Sequence, residues 1–346
     1  MSEKKIFIES TFTKEDPIFE LPLRPSSLDE FSGQDEIKER LSIFIGAAKK
    51  RNEALGHLLL SGPPGLGKTT LAGIVAKTMN HSLVITSGPM LEKPADLTGI
   101  LTNLKSGDHL FIDEIHRMNR SVEEYLYPAL EDFALDLMID SGPNARSVRV
   151  KLNPFTLIGA TTRMGLLTLA LRTRFAFNCR LNYYPPSCLQ KILFRSSRIL
   201  KLDIDEAALF EIASRSRGTP RIANHLLRWV RDYAQMHSRE FVDKAVVNSA
   251  LKLLAVDDLG LEEMDMKILD LIIEHHEGGP VGINTLAVAL GESPQTLEEV
   301  YEPFLIMQGL LRRTPRGREA THLAYQHLGK IKNTVEKSIK KKEAKK

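Results

Sequence analysis

The stretch GPPGLGKTT, from Gly62 to Thr70, constrains the fold more than any other part of the chain. It fits the pattern G-x-x-x-x-G-K-[ST], and it lies between the apolar run HLLLS and the helix-like stretch TTLAGIVAKTMN. Glycines let backbone N–H groups turn inward around phosphate oxygens, and the N-terminus of the following helix adds a positive dipole. Because pattern and context agree, the stretch predicts a phosphate-binding loop between a strand and a helix.

Three further apolar runs, SLVITS, HLFIDE and FTLIGAT, follow the phosphate loop. Like HLLLS, each is four to seven residues long and lacks a polar face, which is typical of a buried strand. Helix-like stretches separate the runs, so the pattern predicts a parallel sheet with right-handed crossovers. Residues 1–183 are therefore expected to form an α/β domain that includes a polar, Pro-rich N-terminal extension.

Residues 184–256 are expected to form a small helical domain. They show no strand pattern, and four stretches have apolar residues at spacings of three to four, as in amphipathic helices. Asp205, ahead of Glu206, and Pro220, after Thr219, suit helix starts.

Residues 257–329 predict a third domain. MDMKILDLIIEHH, GINTLAVAL and SPQTLEEVYEPFLIMQ read as helices, with Ser293 as N-cap and Pro294 as the first residue of the third helix. GLLRR, TPRGR and EATHLAY then read as strand, arginine-rich turn and strand. Three helices followed by such a hairpin give the order of a winged helix, a variant of the helix-turn-helix.

Charge is unevenly placed along the chain, whose formal net charge is +3. Residues 330–346 carry eight lysines and two glutamates, a net of +6, which leaves the rest at −3. Such a tail is expected to be disordered and to aid solubility, with loose attraction to polyanions as the alternative.

Targeting and cysteine usage point to the cytoplasm. There is no run of about 18 apolar residues, and MSEKKIFIES lacks the apolar core of a signal peptide. The chain has two cysteines, Cys179 and Cys188, which are expected to be reduced thiols rather than a disulfide scaffold or a zinc site.

Residues around the phosphate loop predict ATP chemistry. Lys68 would contact the β- and γ-phosphates of ATP, and the Thr69 hydroxyl would ligate Mg²⁺. At the end of HLFIDE, Asp113 would hold Mg²⁺ through water, and Glu114 would orient and deprotonate the attacking water. Adjacent acids on a strand point to opposite faces, so both can serve only where the strand frays.

Two further residues are candidates with open alternatives. Thr161 ends FTLIGAT and would point at the γ-phosphate or the attacking water if this strand lies between the other two; the alternative is a plain core strand. His116 either contacts residues that themselves contact the reacting groups, or it is a surface or packing residue.

The order of these features resembles the AAA+ ATPases: phosphate loop, Asp-Glu strand, Thr-ended strand, LRTRF and a helical region bearing GTPR. More narrowly, residues 23–328 resemble the RuvB family of bacterial Holliday-junction branch-migration motors. The stretches that carry the resemblance are LRPSSLDEFSGQ, GPPGLGKTTLA, SGPMLEKPADLTGILTNL, FIDEIHRMNRSVEEYLYPALEDF, PFTLIGATTR, RGTPRIANHLLRWVRDYA, GGPVGINTLAVALGE and TLEEVYEPFLIMQGLLRRTPRGR. It implies an α/β fold: an AAA+ P-loop NTPase core with a parallel sheet, a small helical lid domain and a C-terminal winged-helix domain.

The resemblance also implies nucleotide-binding residues. Leu23, Arg24 and Tyr184 would border the adenine, and Arg221 in GTPR would reach from the lid to the phosphates as a second sensor. The remaining implied contacts are Gly65, Gly67, Lys68, Thr69, Thr70, Glu131, Asp132 and Phe133.

Arg174 in LRTRF resembles the arginine finger of the family, which is presented to the ATP of the next subunit, with Arg172 as the fallback. Such a finger is worth about 10³–10⁵ in rate. Where the family reads roughly S-P-L-R-D-R-F-G, this chain has LALRTRFAF. The missing Asp removes a charge that could orient a neighbouring arginine, and the missing Gly stiffens the turn after the finger.

Two surfaces are expected to meet partners. Residues 135–152 read as a β-hairpin in which Val148 and Val150 alternate, with Gly142-Pro143-Asn144 as its turn. From the residues alone this could be an edge hairpin packed on its own domain; the resemblance implies that it binds the junction-recognition protein RuvA. In the arginine-rich turn, the resemblance implies DNA contacts by Arg313 and Arg318, with Arg316 as a helper and Arg312 facing solvent.

The function implied is an ATP-driven motor that acts on double-stranded DNA at Holliday junctions. It would work as a homohexameric ring with RuvA, and with the RuvC resolvase in a larger complex. The alternative is a non-motor ATP switch of clamp-loader or initiator type. A protein remodeller is disfavoured because no aromatic-Gly pore loop follows the phosphate-loop unit.

Overall fold

The computed structural model describes residues 21–138 and 147–330. Predictions for most of the N-terminal extension, for the turn at Gly142-Pro143-Asn144 and for the lysine-rich tail beyond residue 330 lie outside these residues. The chain divides into two compact units, Met1–Lys244 and Ala245–Lys346.

The first unit begins with an α/β arrangement. Its main elements in chain order are α1 (Asp35–Arg51), β1 (Leu58–Ser61), α2 (Lys68–Met79), β2 (Leu83–Ser87), α3 (Pro94–Asn103), β3 (His109–Asp113), α4 (Arg120–Glu131), β4 (Ala134–Met138), β5 (Ser147–Lys151), β6 (Thr156–Thr161), α5 (Leu169–Thr173) and β7 (Phe177–Arg180).

A parallel sheet with the order β2-β3-β6-β1-β7 organises this part of the chain. The predicted strand ending in Thr161 does lie between the strand before the phosphate loop and the strand that carries Asp113. Because all strands run the same way, the carboxyl ends of β1, β3 and β6 meet at one edge, where ligands bind in open α/β sheets.

The core of the sheet is apolar on both faces. Leu59, Phe111 and Leu157 are fully buried, and helix α4 adds Val122 and Leu126 to the cluster that contains Leu59 and Leu157. Burial of this kind stabilises the fold by roughly 1.5–3 kcal/mol for each large side chain.

One strand of the sheet was predicted wrongly in detail, and another was not predicted. Strand β2 was expected to be buried, but it is an edge strand with partly exposed side chains, and Ile85 is 59% exposed. Strand β7 was not predicted, because FNCR has no apolar run. Strands β4 and β5 pair antiparallel, as predicted for the hairpin.

The rest of the first unit is mainly helical. It contains α6 (Pro186–Ile199), β8 (Asp203–Ile204), α7 (Glu206–Ser214), α8 (Pro220–Met236) and β9 (Phe241–Val242). The predicted helix starts are confirmed, since the Asp205 side chain accepts from Ala208 N and the Thr219 side chain accepts from Ile222 N. Strands β8 and β9 pair over two residues each, which is too short to produce a pattern in the sequence.

Helix α9 (Lys244–Leu253) crosses the division between the units. The second unit then contains α10 (Glu263–Asp270), α11 (Ile283–Leu290), α12 (Pro294–Thr296), α13 (Glu302–Met307), β10 (Leu311–Thr314), β11 (Gly317–Ala320) and α14 (His322–His327). Wider π-type turns, Leu271–His275 and Leu297–Tyr301, continue α10 and join α12 to α13.

The second unit has the predicted order of three helices and a hairpin. The Ser293 hydroxyl caps the third helix by accepting from Thr296 N, and Pro294 is its first residue. Strands β10 and β11 pair antiparallel. EATHLAY is not one strand, however: β11 ends at Ala320, and Thr321 caps helix α14. In residues 21–138 and 147–330, no helix combines the length and apolar character needed to cross a membrane.

Candidate functional site

The phosphate loop has the backbone geometry that its glycines predict. Gly62, Gly65 and Gly67 have φ angles of +135°, +77° and +93°, which favour glycine. A Cβ at Gly62 would lie 2.4 Å from the Leu181 carbonyl oxygen, so a larger residue does not fit there. Helix α2 starts directly after the loop at Lys68, so its free N–H groups face the loop.

Lys68 is buried beneath this loop. Its Nζ donates to the carbonyl oxygens of Gly62 and Pro63, both at 2.9 Å. Burial lowers the pKa of Lys68, and the charges of Asp113 and Glu114 oppose that shift. The ammonium group is thus held in place next to two carboxylates, where a phosphate could take over its hydrogen bonds.

One pocket gathers most of the predicted nucleotide residues. They come from the phosphate loop, the end of β3, the segment before α1, and helices α6 and α8. The predicted residues in its lining are Leu23, Arg24, Gly65, Gly67, Lys68, Thr69, Thr70, Asp113, Glu114, Tyr184 and Arg221. Lining residues that the sequence did not single out include Phe31, Ile192, Arg195 and Asn224.

Tyr184 and Arg195 connect parts of the pocket lining through hydrogen bonds to backbone carbonyl groups. The Tyr184 hydroxyl donates to the Leu66 carbonyl oxygen at 3.3 Å, and burial raises the pKa of this tyrosine. Arg195 Nη1 donates to the Leu23 carbonyl oxygen at 2.7 Å, and Nη2 donates to that of Arg24 at 3.3 Å. No sequence signal marks Arg195, because its role depends on a contact with residues more than 170 positions away.

The backbone conformation at Glu114 explains how two adjacent acidic residues at the end of a strand can serve the same site. Strand β3 ends at Asp113, and Glu114 adopts the left-handed conformation with φ 45°. Its N–H donates to Asp113 Oδ1 at 2.9 Å. Because the strand's alternation ends there, both carboxylates line the same pocket.

The donor set of the pocket fits Mg²⁺. The Thr69 hydroxyl and the Asp113 carboxylate both line it, and hydroxyl and carboxylate oxygens are the ligands this cation prefers. In the described part of the chain, no three His, Cys, Asp or Glu side chains are grouped to hold a metal ion by themselves. Mg²⁺ needs fewer, since it usually keeps water and takes substrate phosphate oxygens.

Thr162, rather than Thr161, reaches the carboxylate of Glu114. The Thr162 hydroxyl donates to Glu114 Oε2 at 3.0 Å, whereas Thr161 is fully buried with its Oγ1 2.9 Å from His116 Nδ1. His116 Nδ1 is also 3.2 Å from Glu114 Oε2. Thr161, which the sequence predicted to point at the γ-phosphate or the attacking water, thus contacts His116, whereas its neighbour Thr162 contacts Glu114. His116 lies within reach of both Thr161 and Glu114.

Arg174 and the EDF stretch lie outside this pocket. Arg174 Nη2 pairs with Glu131 Oε1 at 2.9 Å, Nη1 donates to the Ala170 carbonyl oxygen at 2.6 Å, and the guanidinium carbon lies 4.3 Å from the centre of the Tyr127 ring. Asp132 pairs with Arg149 at 2.6 Å. Glu131, Asp132, Phe133 and Arg174 are thus gathered near one another but not among the residues lining the pocket of their own chain.

The arginine-rich wing differs from the expectation at Arg318. The β10–β11 register places Arg313 directly opposite Arg318. Arg318 is buried: its Nη2 donates to Glu298 Oε1 at 2.8 Å and to Glu302 Oε2 at 3.0 Å, and its Nε to Glu302 Oε1 at 3.0 Å. Burial lowers the pKa of Arg318, but the hydrogen bonds to these carboxylates outweigh it and leave the pKa raised. Arg318 is therefore engaged inside the domain, not presented to solvent as a DNA contact requires.

The other arginines of the wing are exposed. The Arg313 side chain is 57% exposed and shares Glu298 Oε1 with Arg318 at 2.8 Å. Arg312 pairs with Glu319 at 2.6 Å and is 69% exposed, and Arg316 is exposed at the turn.

Among the β4–β5 hairpin side chains that the structure describes, Val148 is the exposed apolar one. Val148 is 44% exposed, Val150 is half-buried and Leu152 is buried in the core. The hairpin is therefore anchored by its Leu152 end and exposed at Val148.

Three family models match consecutive stretches of the chain between residues 23 and 329. The Holliday junction DNA helicase RuvB P-loop domain matches residues 23–181, the RuvB AAA lid domain matches residues 184–257, and the RuvB C-terminal winged helix domain matches residues 258–329.

Curated relatives and solved structures agree with these models. A protein of Protochlamydia amoebophila named Holliday junction branch migration complex subunit RuvB is 65% identical over 324 residues, which are 94% of this chain and 98% of the relative. One of Flavobacterium johnsoniae with the same name is 58% identical over 325 residues, 94% and 96% of the two chains. The structure of the Thermotoga maritima RuvB Holliday junction branch migration motor is 49% identical, superposes with a TM-score of 0.82, and is matched over 90% of this chain and 99% of that one.

Proposed function

The chain belongs to the RuvB family, and from that membership we propose that it is the ATP-driven motor subunit of a complex that moves Holliday junctions along DNA. The P-loop domain of the family implies nucleotide binding and ATPase activity. The observation that carries the proposal is the pocket, in which Lys68, Asp113 and Glu114 surround a phosphate loop on a chain that also has a winged-helix unit.

The pocket residues divide the work of ATP hydrolysis. The loop N–H groups and Lys68 would bind the β- and γ-phosphates, and Thr69 and Asp113 would hold Mg²⁺, which supplies positive charge next to the leaving phosphate oxygens. Glu114 would orient the attacking water and take its proton, while the Thr162 hydroxyl holds the carboxylate in position. Arg221 would bind the phosphates from helix α8, and Leu23, Arg24 and Tyr184 would border the adenine.

A ring is needed to complete the site. Arg174 is absent from the pocket lining of its own chain, so as an arginine finger it would serve the ATP of a neighbouring subunit, with Glu131, Asp132 and Phe133 beside it. A closed ring gives every pocket such a neighbour. We take the ring to be a homohexamer through which double-stranded DNA is drawn.

RuvA is the proposed partner of the β4–β5 hairpin, because an exposed valine on an anchored hairpin suits an apolar contact. Val148→Asp should weaken RuvA binding, measured by titration calorimetry, by roughly tenfold or more, and leave RuvA-independent ATP binding unchanged. Equal RuvA affinity of this variant and the parent would contradict the proposed surface. RuvC would join in a larger complex that acts in the cytoplasm.

The domain division proposed is 1–183 for the ATPase, 184–256 for the lid, 257–329 for the winged helix and 330–346 for a basic tail. The ranges of the three family models support it. DNA contacts should go mainly to phosphates, since a motor must move over any sequence. Arg312, Arg313 and Arg316 on the exposed side of the wing support such contacts.

Branch migration of a synthetic four-way junction tests the proposal. With ATP, Mg²⁺ and RuvA, the protein should convert the junction to duplex products, and its ATPase rate should rise with junction DNA. Lys68→Ala is the matched control and should show neither activity. ATP hydrolysis that ignores junction DNA, without movement of the branch point, would favour an ATP switch of clamp-loader or initiator type instead.

A further inference from the structure

Three side chains on one face of helix α4 meet the segment that carries Arg174. Glu123, Tyr127 and Glu131 follow one another at intervals of four residues, which places them in line along the helix. Glu123 and Tyr127 contact Thr168, at the start of α5, and Tyr127 and Glu131 contact Arg174, at its end.

The Tyr127 ring forms a platform under the guanidinium. The 4.3 Å separation between the Arg174 guanidinium carbon and the ring centre is within the range of a cation–π contact. The Tyr127 hydroxyl donates to Glu123 Oε1 at 2.6 Å, which fixes the position of the hydroxyl end of the ring. Burial and this carboxylate raise the pKa of Tyr127, so the hydroxyl keeps its proton at neutral pH.

Glu123 also holds the start of α5. It is 8% exposed, and besides the Tyr127 hydroxyl it accepts a hydrogen bond from the Thr168 hydroxyl. Thr168 is the N-cap of α5, where its Oγ1 accepts from Leu171 N at 3.1 Å. One buried carboxylate therefore ties together the platform and the short helix that ends at Arg174.

We propose that Tyr127 and Glu123 are positioning residues that orient Arg174 for the ATP of the neighbouring subunit. The inference rests on the proposed function, in which Arg174 acts in trans. An arginine side chain loses considerable rotamer freedom when it is fixed in one position. Because the aromatic ring of Tyr127 already restricts Arg174, less conformational entropy is lost when Arg174 binds the phosphate in the transition state. Glu131, which is 57% exposed, holds the tip of Arg174 until the phosphate of the neighbour replaces its carboxylate.

Substitutions at Tyr127 distinguish a role of the aromatic ring in orienting Arg174 from a role in packing alone. Tyr127→Leu keeps a shorter apolar side chain but removes the ring, and Tyr127→Phe restores the ring without the hydroxyl. We expect Tyr127→Leu to lower kcat for ATP about 10- to 100-fold, as misorientation of a catalytic group does, with an unchanged Kd for ATP. Tyr127→Phe should recover most of the lost kcat.

Mixed rings show whether the defect lies in the finger or in the pocket. Tyr127→Leu subunits keep an intact pocket, so mixing them with Lys68→Ala subunits, which keep a well-held Arg174, should raise the hydrolysis rate. Mixing them with Arg174→Ala subunits should not. Recovery with neither partner would overturn the inference, because it would place the defect in the pocket of the variant itself.

Glu123→Gln provides a second test if Tyr127→Leu unfolds. It preserves the size of the side chain and removes the charge that accepts two hydroxyl hydrogen bonds, so kcat should again fall with Kd for ATP unchanged. Glu124→Gln is the matched control, since Glu124 lies on the exposed side of α4 and pairs with Arg120. Thermal unfolding and size-exclusion chromatography should show folded, assembled protein for each variant compared.

The two proposals fail in different ways. If Arg174→Ala hydrolyses ATP normally, the role of the finger in the proposed function is wrong. If Arg174→Ala is inactive while both Tyr127→Leu and Glu123→Gln match the parent, only the positioning inference is wrong.

Discussion

At the scale of single residues, the contact between Thr162 and Glu114 predicts that substitutions at two adjacent threonines change different quantities: one the rate of ATP hydrolysis, the other the free energy of unfolding. Thr162→Val removes the hydroxyl that holds the carboxylate, so kcat should fall about 10- to 100-fold with ATP binding retained. Thr161→Val instead breaks a buried hydrogen bond to His116 and should lower the free energy of unfolding by roughly 1–3 kcal/mol.

Single-turnover ATP hydrolysis and urea unfolding check these two variants side by side. If Thr161→Val loses hydrolysis more severely than Thr162→Val at equal stability, the assignment of Thr162 to the reacting groups would be wrong. Ser at position 162 keeps the hydroxyl and should retain most of the rate.

His109 predicts a pH dependence of stability. It is fully buried, neither ring nitrogen has a hydrogen-bond partner in the described part of the chain, and burial together with the nearby His81 lowers its pKa from 6.5 to about 4. As the pH falls, His109 takes up a proton in the unfolded chain before it does so in the folded chain. The contribution of neutral His109 to stability is therefore fully present above pH 6.5 and is lost as the pH falls toward 4. The loss should be about 3 kcal/mol. His57 has a pKa lowered by burial and should add a loss of the same sign.

Urea unfolding between pH 7 and 4, followed by the fluorescence of Trp229, the single tryptophan, measures this loss. His109→Leu should flatten the pH dependence, and His237→Gln, at a more exposed position, should not. An unchanged slope in His109→Leu would mean that another group titrates in this range.

Single residues also show which parts of the candidate site could be predicted from the sequence. The phosphate-loop pattern located Lys68 and Thr69, and the acidic pair after an apolar run located Asp113 and Glu114, because these signals are local. Choosing between Thr161 and Thr162 requires knowing where β6 ends, and a shift of one residue reverses which side chain faces Glu114. Arg195 had no local signal at all.

At the scale of secondary-structure elements, the wing hairpin pairs like charges across its strands. Arg313 and Arg318 lie directly opposite each other, which is unfavourable unless carboxylates intervene, and Glu298 and Glu302 of the third helix supply them. This contact anchors the hairpin through Arg318 and leaves Arg313 at the surface.

The two arginines should therefore respond differently to substitution. Arg313→Ala should weaken binding to all duplex sequences alike and reduce the slope of log K against log salt concentration by about 1. Arg318→Ala removes two hydrogen bonds from the buried Glu302 carboxylate, while Arg313 remains as the partner of Glu298, and it should destabilise the winged-helix unit by roughly 3–5 kcal/mol. Its salt slope, measured well below its melting temperature, should stay close to that of the parent.

Fluorescence anisotropy of labelled duplex DNA over a range of salt concentrations gives these slopes. A folded Arg318→Ala protein with a slope reduced by about 1 would show that Arg318 leaves its carboxylates to contact a phosphate. Lys at position 313 keeps the charge and is the matched control for the Arg313 variant.

Elements were predictable where their signal was strong. Four strands of the parallel sheet have apolar runs, but β7 reads FNCR and is identified only by its pairing with β1. The apolar run of β2 indicated burial, although its place at the edge leaves it partly exposed, because strand order is a property of the whole sheet. In the wing, the helix-capping Thr321 separates β11 from α14 within a stretch that reads as one strand.

At the scale of the whole molecule, the residues proposed to take part in ATP hydrolysis lie in two separate places. The pocket has the phosphate loop and Glu114, and the segment after α5 has Arg174, held by Glu131 and Tyr127 outside that pocket. The sequence suggested this division only through family resemblance, because nothing local distinguishes a finger from a surface arginine in an ion pair. Hydrolysis should thus depend on contact between subunits.

Mixing two inactive variants tests this dependence directly. Arg174→Ala should bind ATP but lose about 10³-fold or more in hydrolysis rate, and Lys68→Ala should fail to bind ATP while keeping its finger. In mixed rings, an Arg174→Ala pocket that faces a Lys68→Ala neighbour regains both parts. With equal amounts and random assembly, about a quarter of the interfaces should be of this kind.

The ATPase rate plotted against the mixing ratio should therefore pass through a maximum near equal amounts, while each variant alone stays near zero. A chain with both substitutions is the control, since mixing it with either single variant creates no complete interface. No recovery at any ratio, with mixed rings verified by differently tagged subunits that co-purify, would mean that Arg174 does not act across the interface. The curve thus measures whether the Arg174 of each subunit completes the ATP site of its neighbour, as the position of Arg174 outside its own pocket predicts.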